Sequence, residues 1–255
     1  MKTYKAYLFD LDGTVCRGNE PIPEAVTFIH RLNERRIPYL FVTNNATATN
    51  TQFARKLQGF GIPCGPKDVL TSAMAAAGYL REKKAGTDVL AIGEEGLLAS
   101  LRSVGFNLNK KNPDVVVVGL DRRVTYEKLA DASLAVRAGA TFIATNPDAA
   151  IPTDRGLLPG NGAIVAAIST ATGQTPLFIG KPEPIIIEQA LKLIGASAEE
   201  TLLIGDNYNT DIRAGLRTGV DTLLVFSGVT TKGDLTKVDV QPTYCVDSLE
   251  DWPVA

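Results

Sequence analysis

The sequence predicts an α/β fold: a doubly wound, largely parallel sheet, interrupted by a second, smaller α/β unit. Three observations carry this expectation. Apolar runs of strand length alternate with helix-period segments along most of the chain. A complete second series of such strands and helices lies between the polar stretch Lys83-Lys84-Ala85-Gly86 and Gly180. Four apolar runs far apart in sequence end in groups suited to phosphate or a metal, and in open parallel sheets such strand ends converge where the strand order reverses.

The elements follow in order. The run Ala6-Tyr7-Leu8-Phe9 is the first strand and ends in Asp10-Leu11-Asp12-Gly13-Thr14. Pro23 to Arg35 reads as a helix with Ala25, Val26, Ile29 and Leu32 on one face. Tyr39-Leu40-Phe41-Val42 is a strand ending in Thr43-Asn44-Asn45. A helix from about Thr49 to Gly59 presents Phe53, Ala54, Leu57 and Phe60, and Gly61 stops it. Val69-Leu70 leads through Thr71-Ser72 into an alanine-rich helix from Ala73 to Lys83, after which the polar Lys83 to Gly86 stretch marks a domain boundary.

The inserted unit begins with Val89-Leu90-Ala91-Ile92 and a helix through Leu97, Leu98 and Leu101. Val115 to Val118, a helix over Tyr126 to Ala138, and Thr141-Phe142-Ile143-Ala144 continue it. A helix over Ala163 to Ala171 and the strand Leu177-Phe178-Ile179 close it. The core resumes with a helix from Pro184 to Ile194 and the strands Leu202-Leu203-Ile204 and Thr222-Leu223-Leu224-Val225. The expected division is therefore 1–80 and 181–255 for the core and 81–180 for the insert.

Composition narrows the partners. A chain of 255 residues with 45% hydrophobic content can fill a sizeable core. Its net charge of -2 offers no broad attraction to nucleic acid or an anionic membrane. Arg35-Arg36, Lys83-Lys84 and Lys110-Lys111 are short pairs that read as solvated faces. Cys16, Cys64 and Cys245 share no metal-ligand spacing and cannot all pair, so a reducing cytoplasm is expected. The N-terminal apolar run is too short for a signal peptide, and no run approaches a membrane span. The single histidine, His30, lies in a helical stretch away from every motif.

The pair Asp10 and Asp12 is the strongest local signal. Two carboxylates held close together raise one pKa unless a cation intervenes, so the pair points to a shared proton or a bound metal. Asp-Gly is also a strong hairpin signal, but Val15 to Pro21 supplies no convincing alternating strand. Leu177-Phe178-Ile179 ends in Gly180-Lys181-Pro182, and Leu202-Leu203-Ile204 ends in Gly205-Asp206-Asn207, with Asp211 following. A strand-end turn for Asp206, a helix N-terminal charge for Asp211 and a surface lysine for Lys181 are the structural alternatives.

The ordered set DLDGT, TN, GKP and GDNYNTD resembles the four motifs of the haloacid dehalogenase superfamily of phosphatases. It spans Asp10 to Asp211. The segment between TN and GKP lies where that family carries its class II cap, and TNPD within it is similar to the NagD-like, p-nitrophenylphosphatase branch. The resemblance implies a Rossmann-like core, an α/β cap and Mg2+-dependent hydrolysis of a small phosphorylated metabolite. A sugar phosphate or nucleotide would serve.

A phosphate monoester repels nucleophiles, so its hydrolysis needs a placed attacker, cationic groups on the phosphoryl oxygens and a proton for the leaving group. Asp10 is the expected nucleophile, through an aspartyl-phosphate, and Asp12 the acid and base. The resemblance assigns the metal to the Asp10 and Asp206 carboxylates and the Asp12 carbonyl. Lys181, the Thr43 hydroxyl and backbone amides near Leu11, Asp12 and Asn44 would cradle phosphate. Asn207 would act as a further metal or water ligand, and Asp211 would orient Lys181 or a metal-bound water.

Glu94, Glu95, Asn146, Asp148 and Arg155 are the expected specificity residues, facing the leaving group. Thr-Asn at a strand end is equally good turn chemistry, so a structural reading of Asn146 and Asp148 stands beside that one. Arg155 and the Pro159-Gly160-Asn161-Gly162 loop would touch the leaving group or form only a flexible turn. A phosphotransferase or phosphomutase using the same aspartyl-phosphate is the alternative enzyme, and a non-catalytic binding protein is a third class. A homo-oligomer is compatible with the sequence.

Overall fold

The computed structural model describes residues 2–109, 111–153 and 155–253, so Lys110 of the Lys110-Lys111 pair lies outside the described residues. Contacts divide the chain into two compact units. One comprises the chain up to Thr43, Asn50–Leu70 and everything from Lys181 onward; the other comprises Asn44–Thr49 and Thr71–Gly180.

The first unit is built on a six-stranded sheet ordered Tyr244–Val246, Asp221–Val225, Thr201–Gly205, Ala6–Phe9, Tyr39–Thr43, Val69–Thr71. The registers Tyr7↔Tyr39, Tyr7↔Leu202, Leu203↔Thr222 and Leu223↔Tyr244 are all parallel. Every residue of Ala6–Phe9 and Thr201–Gly205 is buried, which is why these strands read as unbroken apolar runs. From Ala6–Phe9 the chain builds first toward Val69–Thr71 and later returns on the other side with Thr201–Gly205. The order therefore reverses between these two central strands, and a crevice forms outside their carboxyl ends.

Helix Pro23–Glu34 starts with proline at its first position, where the missing amide is harmless. It buries Ala25, Phe28, Ile29 and Leu32, with Phe28 taking the place expected of the half-buried Val26. Phe28 meets Tyr7 and Phe9 edge-on at ring separations of 5.7 and 6.0 Å, which fixes the helix against the sheet. His30 is exposed on its outer side. Helix Asn50–Gly59 buries Phe53, Ala54 and Leu57, while Phe60 is half-buried beyond its end.

The second unit has a five-stranded sheet ordered Leu177–Phe178, Thr141–Ala144, Val115–Val118, Asp88–Ile92, Asn107–Leu108, parallel throughout. Leu90, Ile92, Val116, Val118, Phe142 and Ile168 belong to its core. Helix Tyr126–Arg137 is capped by Thr125, whose side chain accepts from the Lys128 amide.

The domain boundary expected near residue 80 falls instead between Leu70 and Thr71. Helix Ser72–Lys83 buries Ala73, Ala75, Ala76, Ala77 and Leu80, and these small side chains let it pack closely on helix Glu95–Ser103 of the second unit. The polar stretch that suggested a linker is this helix's C-terminal end, with Lys84 left-handed at φ 51°. Residues 44–49 also join the second unit. The Gly96 amide donates to the Thr47 carbonyl at 3.0 Å, and a Cβ on Gly96 would stand 2.3 Å from the Ala48 oxygen.

Two antiparallel hairpins escaped the sequence reading. Ala150–Thr153 pairs with Gly156–Pro159, and Cys16–Arg17 pairs with Glu20–Pro21. The segment after Asp12-Gly13 thus does form a hairpin, but its turn is at Gly18-Asn19, with Gly18 at φ 57°. Strands of two residues are too short to show alternation. Among the described residues no helix is long and apolar enough to cross a membrane.

Candidate active site

Asp10 and Asp206 each follow one of the two central strands whose junction is the reversal point of the first sheet. The Asp10 amide donates to the Ile204 carbonyl at 2.9 Å, extending the parallel ladder by one bond and setting the residue at the crevice. Lys181 enters the same crevice. It follows Gly180, where a Cβ would stand 2.5 Å from Asn44 Oδ1 and 2.6 Å from the Thr145 oxygen, so only glycine fits. Its ammonium is buried and lies 2.5 Å from Asp10 Oδ1, 2.7 Å from Asp211 Oδ1 and 3.0 Å from the Val42 carbonyl. A buried cation is tolerable only when paired: Lys181 donates to Asp10 Oδ1 and the Val42 carbonyl and stands in an ion pair with Asp211.

Asp211 reaches Lys181 from the π-helical turn Tyr208–Ile212, where its Oδ2 accepts from the Asn207 amide at 3.1 Å. Gly205 leaves room for it, since a Cβ there would lie 2.3 Å from that of Asp211. Asp206 is buried and held by two donors: the Thr14 hydroxyl on Oδ1 at 3.1 Å and the Val229 amide on Oδ2 at 2.7 Å. Both Gly13, at φ 99°, and Gly228 press against its carboxylate; a Cβ on Gly228 would stand 1.9 Å from Oδ2.

The electrostatics follow from this crowding. Burial drives the Asp10 carboxyl well above the ordinary carboxylate range; Lys181 opposes the shift, while Asp211 and Asp206 reinforce it. Burial, then the Asp211 charge, pushes Asp206 up to about 6 against the pull of the Val229 amide, the Thr14 hydroxyl and Lys181. Burial alone would lower the Lys181 pKa, but Asp10 and Asp211 outweigh it and hold the ammonium charged.

Asp10, Asp206 and Asp211 place carboxylate oxygens within 4.8 Å of one another. Three carboxylates against one ammonium leave an excess of two negative charges when all are ionised. This oxygen donor set fits a hard divalent cation such as Mg2+. Asp211, expected only to support the others, belongs to the cluster in its own right.

The remaining expected residues divide by unit. In the first, Thr43 is buried at its strand end, and the Leu11 carbonyl closes the turn by accepting from Val15 and Cys16 at 2.9 and 3.0 Å. Among the described residues the Leu11 and Asp12 amides have no protein acceptor, so they are available as donors. The Asp12 carboxylate is exposed. Asn207 Oδ1 caps its own turn by accepting from the Asn209 amide at 3.0 Å.

In the second unit, Asn44 Nδ2 lies 3.3 Å from Asp148 Oδ2 and its carbonyl accepts from Ser72 Oγ and Asn146 Nδ2 at 2.6 and 2.8 Å. Asn146 is buried, and its Oδ1 accepts from the Asp148 amide, so both ends of its side chain serve the local structure. Asn161 Nδ2 donates to the Asn146 carbonyl at 2.8 Å. A Cβ on Gly160 or Gly162 would collide with the Asp148 or Pro147 carbonyl, so this loop is a packed junction rather than a flexible turn. Glu94 is bound in a two-pronged ion pair with Arg122 at 2.6 and 2.7 Å. Glu95 and Arg155 are exposed.

Sequence reasoning missed Thr14, the Val229 amide and Gly228 around Asp206. Thr14 sits inside DLDGT and carried a signal as a hydroxyl beside the carboxylates. Val229 acts through its backbone, which leaves no trace in residue type.

Residues 7–107 match the model of the haloacid dehalogenase-like hydrolases, and residues 178–252 match a second model, HAD-hydrolase-like. The chain is 50% identical over 252 residues to the 5'-nucleotidase YutF of Bacillus subtilis, covering 99% of this chain and 98% of that one. It is 49% identical to an acid sugar phosphatase of Staphylococcus aureus, over 98% and 97% of the two chains. Among solved structures, a single mutant of the thermostable NPPase from Geobacillus stearothermophilus superposes with a TM-score of 0.94 at 52% identity, covering 100% of both chains. NagD from Escherichia coli K-12 gives 0.94 at 35% identity, again over 100% of both. The motifs that follow the strands, the family models and these full-length similarities agree: the chain belongs to the haloacid dehalogenase-like hydrolases and, within them, to the NagD-like phosphatases.

Proposed function

We propose that this phosphatase hydrolyses monoesters of small phosphorylated metabolites through an aspartyl-phosphate on Asp10. The observation that carries the reading is the Asp10 carboxylate beside the buried Lys181 ammonium, at the reversal point of the sheet, with Asp206 and Asp211 alongside. An Asp10 oxygen attacks phosphorus as the bond to the leaving oxygen breaks, and Asp12 gives that oxygen a proton. Asp12 then takes a proton from the water that cleaves the aspartyl-phosphate. Lys181 offsets charge on the phosphoryl oxygens, and the Thr43 hydroxyl and the Leu11 and Asp12 amides donate to them.

Mg2+ would be held by the Asp10 and Asp206 carboxylates with the Asp12 carbonyl, and when bound it supplies positive charge to the transferring group. Asp211 keeps Lys181 oriented. The names of the relatives point to nucleoside monophosphates or sugar phosphates as the substrate class. Substrate choice is assigned to the exposed Glu95 and Arg155 ahead of Asn146, Glu94 and Asp148, whose side chains already have partners. The three free cysteines suit a reducing cytoplasm.

The test is hydrolysis of p-nitrophenyl phosphate with Mg2+. Activity should vanish in excess EDTA and in Asp10→Asn, an amide of similar size that cannot carry the phosphoryl group. Undiminished turnover in chelator would remove the metal from the mechanism, and near-normal turnover in Asp10→Asn would move the nucleophile elsewhere.

A further inference from the structure

Among the described residues the Asp12 carboxylate meets only the Cys16 thiol, at 4.0 Å. A contact that long orients little. The position of the Asp12 side chain is therefore set by its backbone. That backbone is a closed turn, in which the Val15 and Cys16 amides donate to the Leu11 carbonyl and the Gly13 amide donates to the Cys16 carbonyl at 2.7 Å. A turn closed on itself can still rock as a body unless something outside holds it.

Thr14 Oγ1, on Asp206 Oδ1 at 3.1 Å, is one such hold, and residue 227 is the one next to Asp12. Ser227 Oγ donates to the Gly13 carbonyl at 2.6 Å, one residue beyond Asp12. The Ser227 carbonyl in turn accepts from Nε and Nη2 of Arg17, at 3.0 and 2.7 Å. The residues that follow grip Asp206: the Val229 amide binds its carboxylate and the Thr230 amide binds its carbonyl at 3.0 Å. Residues 227–230 thus tie the turn that carries Asp12 to the strand end that carries Asp206.

We propose that Ser227 is a positioning residue for proton transfer: its hydroxyl, braced through Arg17, fixes the Gly13 carbonyl and so holds Asp12 in place to protonate the leaving oxygen. This rests on the assignment of Asp12 as proton donor made above. The consequence depends on the substrate. A nitrophenolate departs readily without a proton, whereas an alkoxide does not, so a misplaced acid slows alkyl phosphates far more than p-nitrophenyl phosphate. A bond that merely stabilised the loop would slow all substrates alike.

The experiment compares kcat/KM, which reports the steps through leaving-group departure, for a series from p-nitrophenyl phosphate through phenyl phosphate to glycerol phosphate. Wild type, Ser227→Ala, Ser227→Thr, Arg17→Gln and Asp12→Asn are assayed with Mg2+, with thermal midpoints measured on each. Ser227→Ala should lose about ten-fold on glycerol phosphate and under about three-fold on p-nitrophenyl phosphate, a fraction of what general acid catalysis supplies. Ser227→Thr should restore the wild-type pattern, and Arg17→Gln should show a weaker form of the Ser227→Ala one. A uniform loss in Ser227→Ala, beside a leaving-group-dependent loss in Asp12→Asn, overturns the proposal. A uniform loss in Asp12→Asn overturns the proton-donor assignment itself, and the proposal with it. Should Ser227→Ala fail to fold, the Arg17→Gln series decides by the same criterion.

Discussion

At the scale of single residues, the site works by crowding. Gly228 shows how little room is left, since a Cβ there would stand 1.9 Å from Asp206 Oδ2 and the backbone cannot move without releasing the Val229 amide from the same oxygen. Gly228→Ala should displace the Asp206 carboxylate and lower Mg2+ affinity by about 10- to 100-fold, the range for lost support of a metal ligand. Titrating activity with Mg2+ measures it, and an unchanged half-saturation would show that the loop shifts without disturbing Asp206. Asp211 tests the opposite feature, attraction. Asp211→Asn removes a carboxylate that pairs with the buried Lys181 ammonium at 2.7 Å. Breaking one arm of a buried ion pair should reduce stability by about 3 kcal/mol, read by urea unfolding in EDTA. A loss below about 1 kcal/mol, the worth of an exposed pair, would mean that water reaches the lysine.

At the scale of elements, legibility followed burial. Ala6–Phe9, Tyr39–Thr43, Val115–Val118 and Thr201–Gly205 were readable because a parallel strand covered on both faces is apolar along most of its length. Their ends were readable too, because carboxylates and a lysine directly after such runs have few structural uses. The hairpin Ala150–Thr153 with Gly156–Pro159 was not, since its residues are mostly exposed and its sequence shows no alternation. The π-helical turn that delivers Asp211 was equally hidden, because a single wide turn has no periodicity. The Lys83 to Gly86 stretch misled because a helix C-terminus and a linker share the same composition. Asn146 was ambiguous for a related reason: the Thr-Asn pair that suits a binding loop also suits a turn. Its bonds to the Asn44 carbonyl and the Asp148 amide favour a structural effect, so Asn146→Ala should cost about 1–3 kcal/mol by leaving buried polar groups unpaired. Thermal unfolding checks this, and a variant as stable as wild type would return Asn146 to the specificity residues.

At the scale of the whole molecule, the site trades stability for charge. Burial is the leading cause that pushes the Asp206 carboxyl up from its ordinary range to about 6, and it raises Asp10 as well. As pH rises from about 4 to about 6, such a carboxyl ionises in the unfolded chain before it does so in the native one. The native state then binds more protons, and stability falls with rising pH across that window. A divalent cation held there would reverse the balance, because it would bind the ionised carboxylates and only in the folded chain. The thermal midpoint in EDTA should therefore lose a contribution from Asp206 between pH 4 and 6, while the increment on adding Mg2+ should grow from pH 5 to pH 7.5. Differential scanning calorimetry with EDTA and with Mg2+ at the two pH values separates these effects, since other titrating groups shift both curves together. An Mg2+ increment as large at pH 5 as at pH 7.5 would mean that the ion binds away from the raised carboxylates, and the cluster of Asp10, Asp206 and Asp211 would no longer account for metal binding.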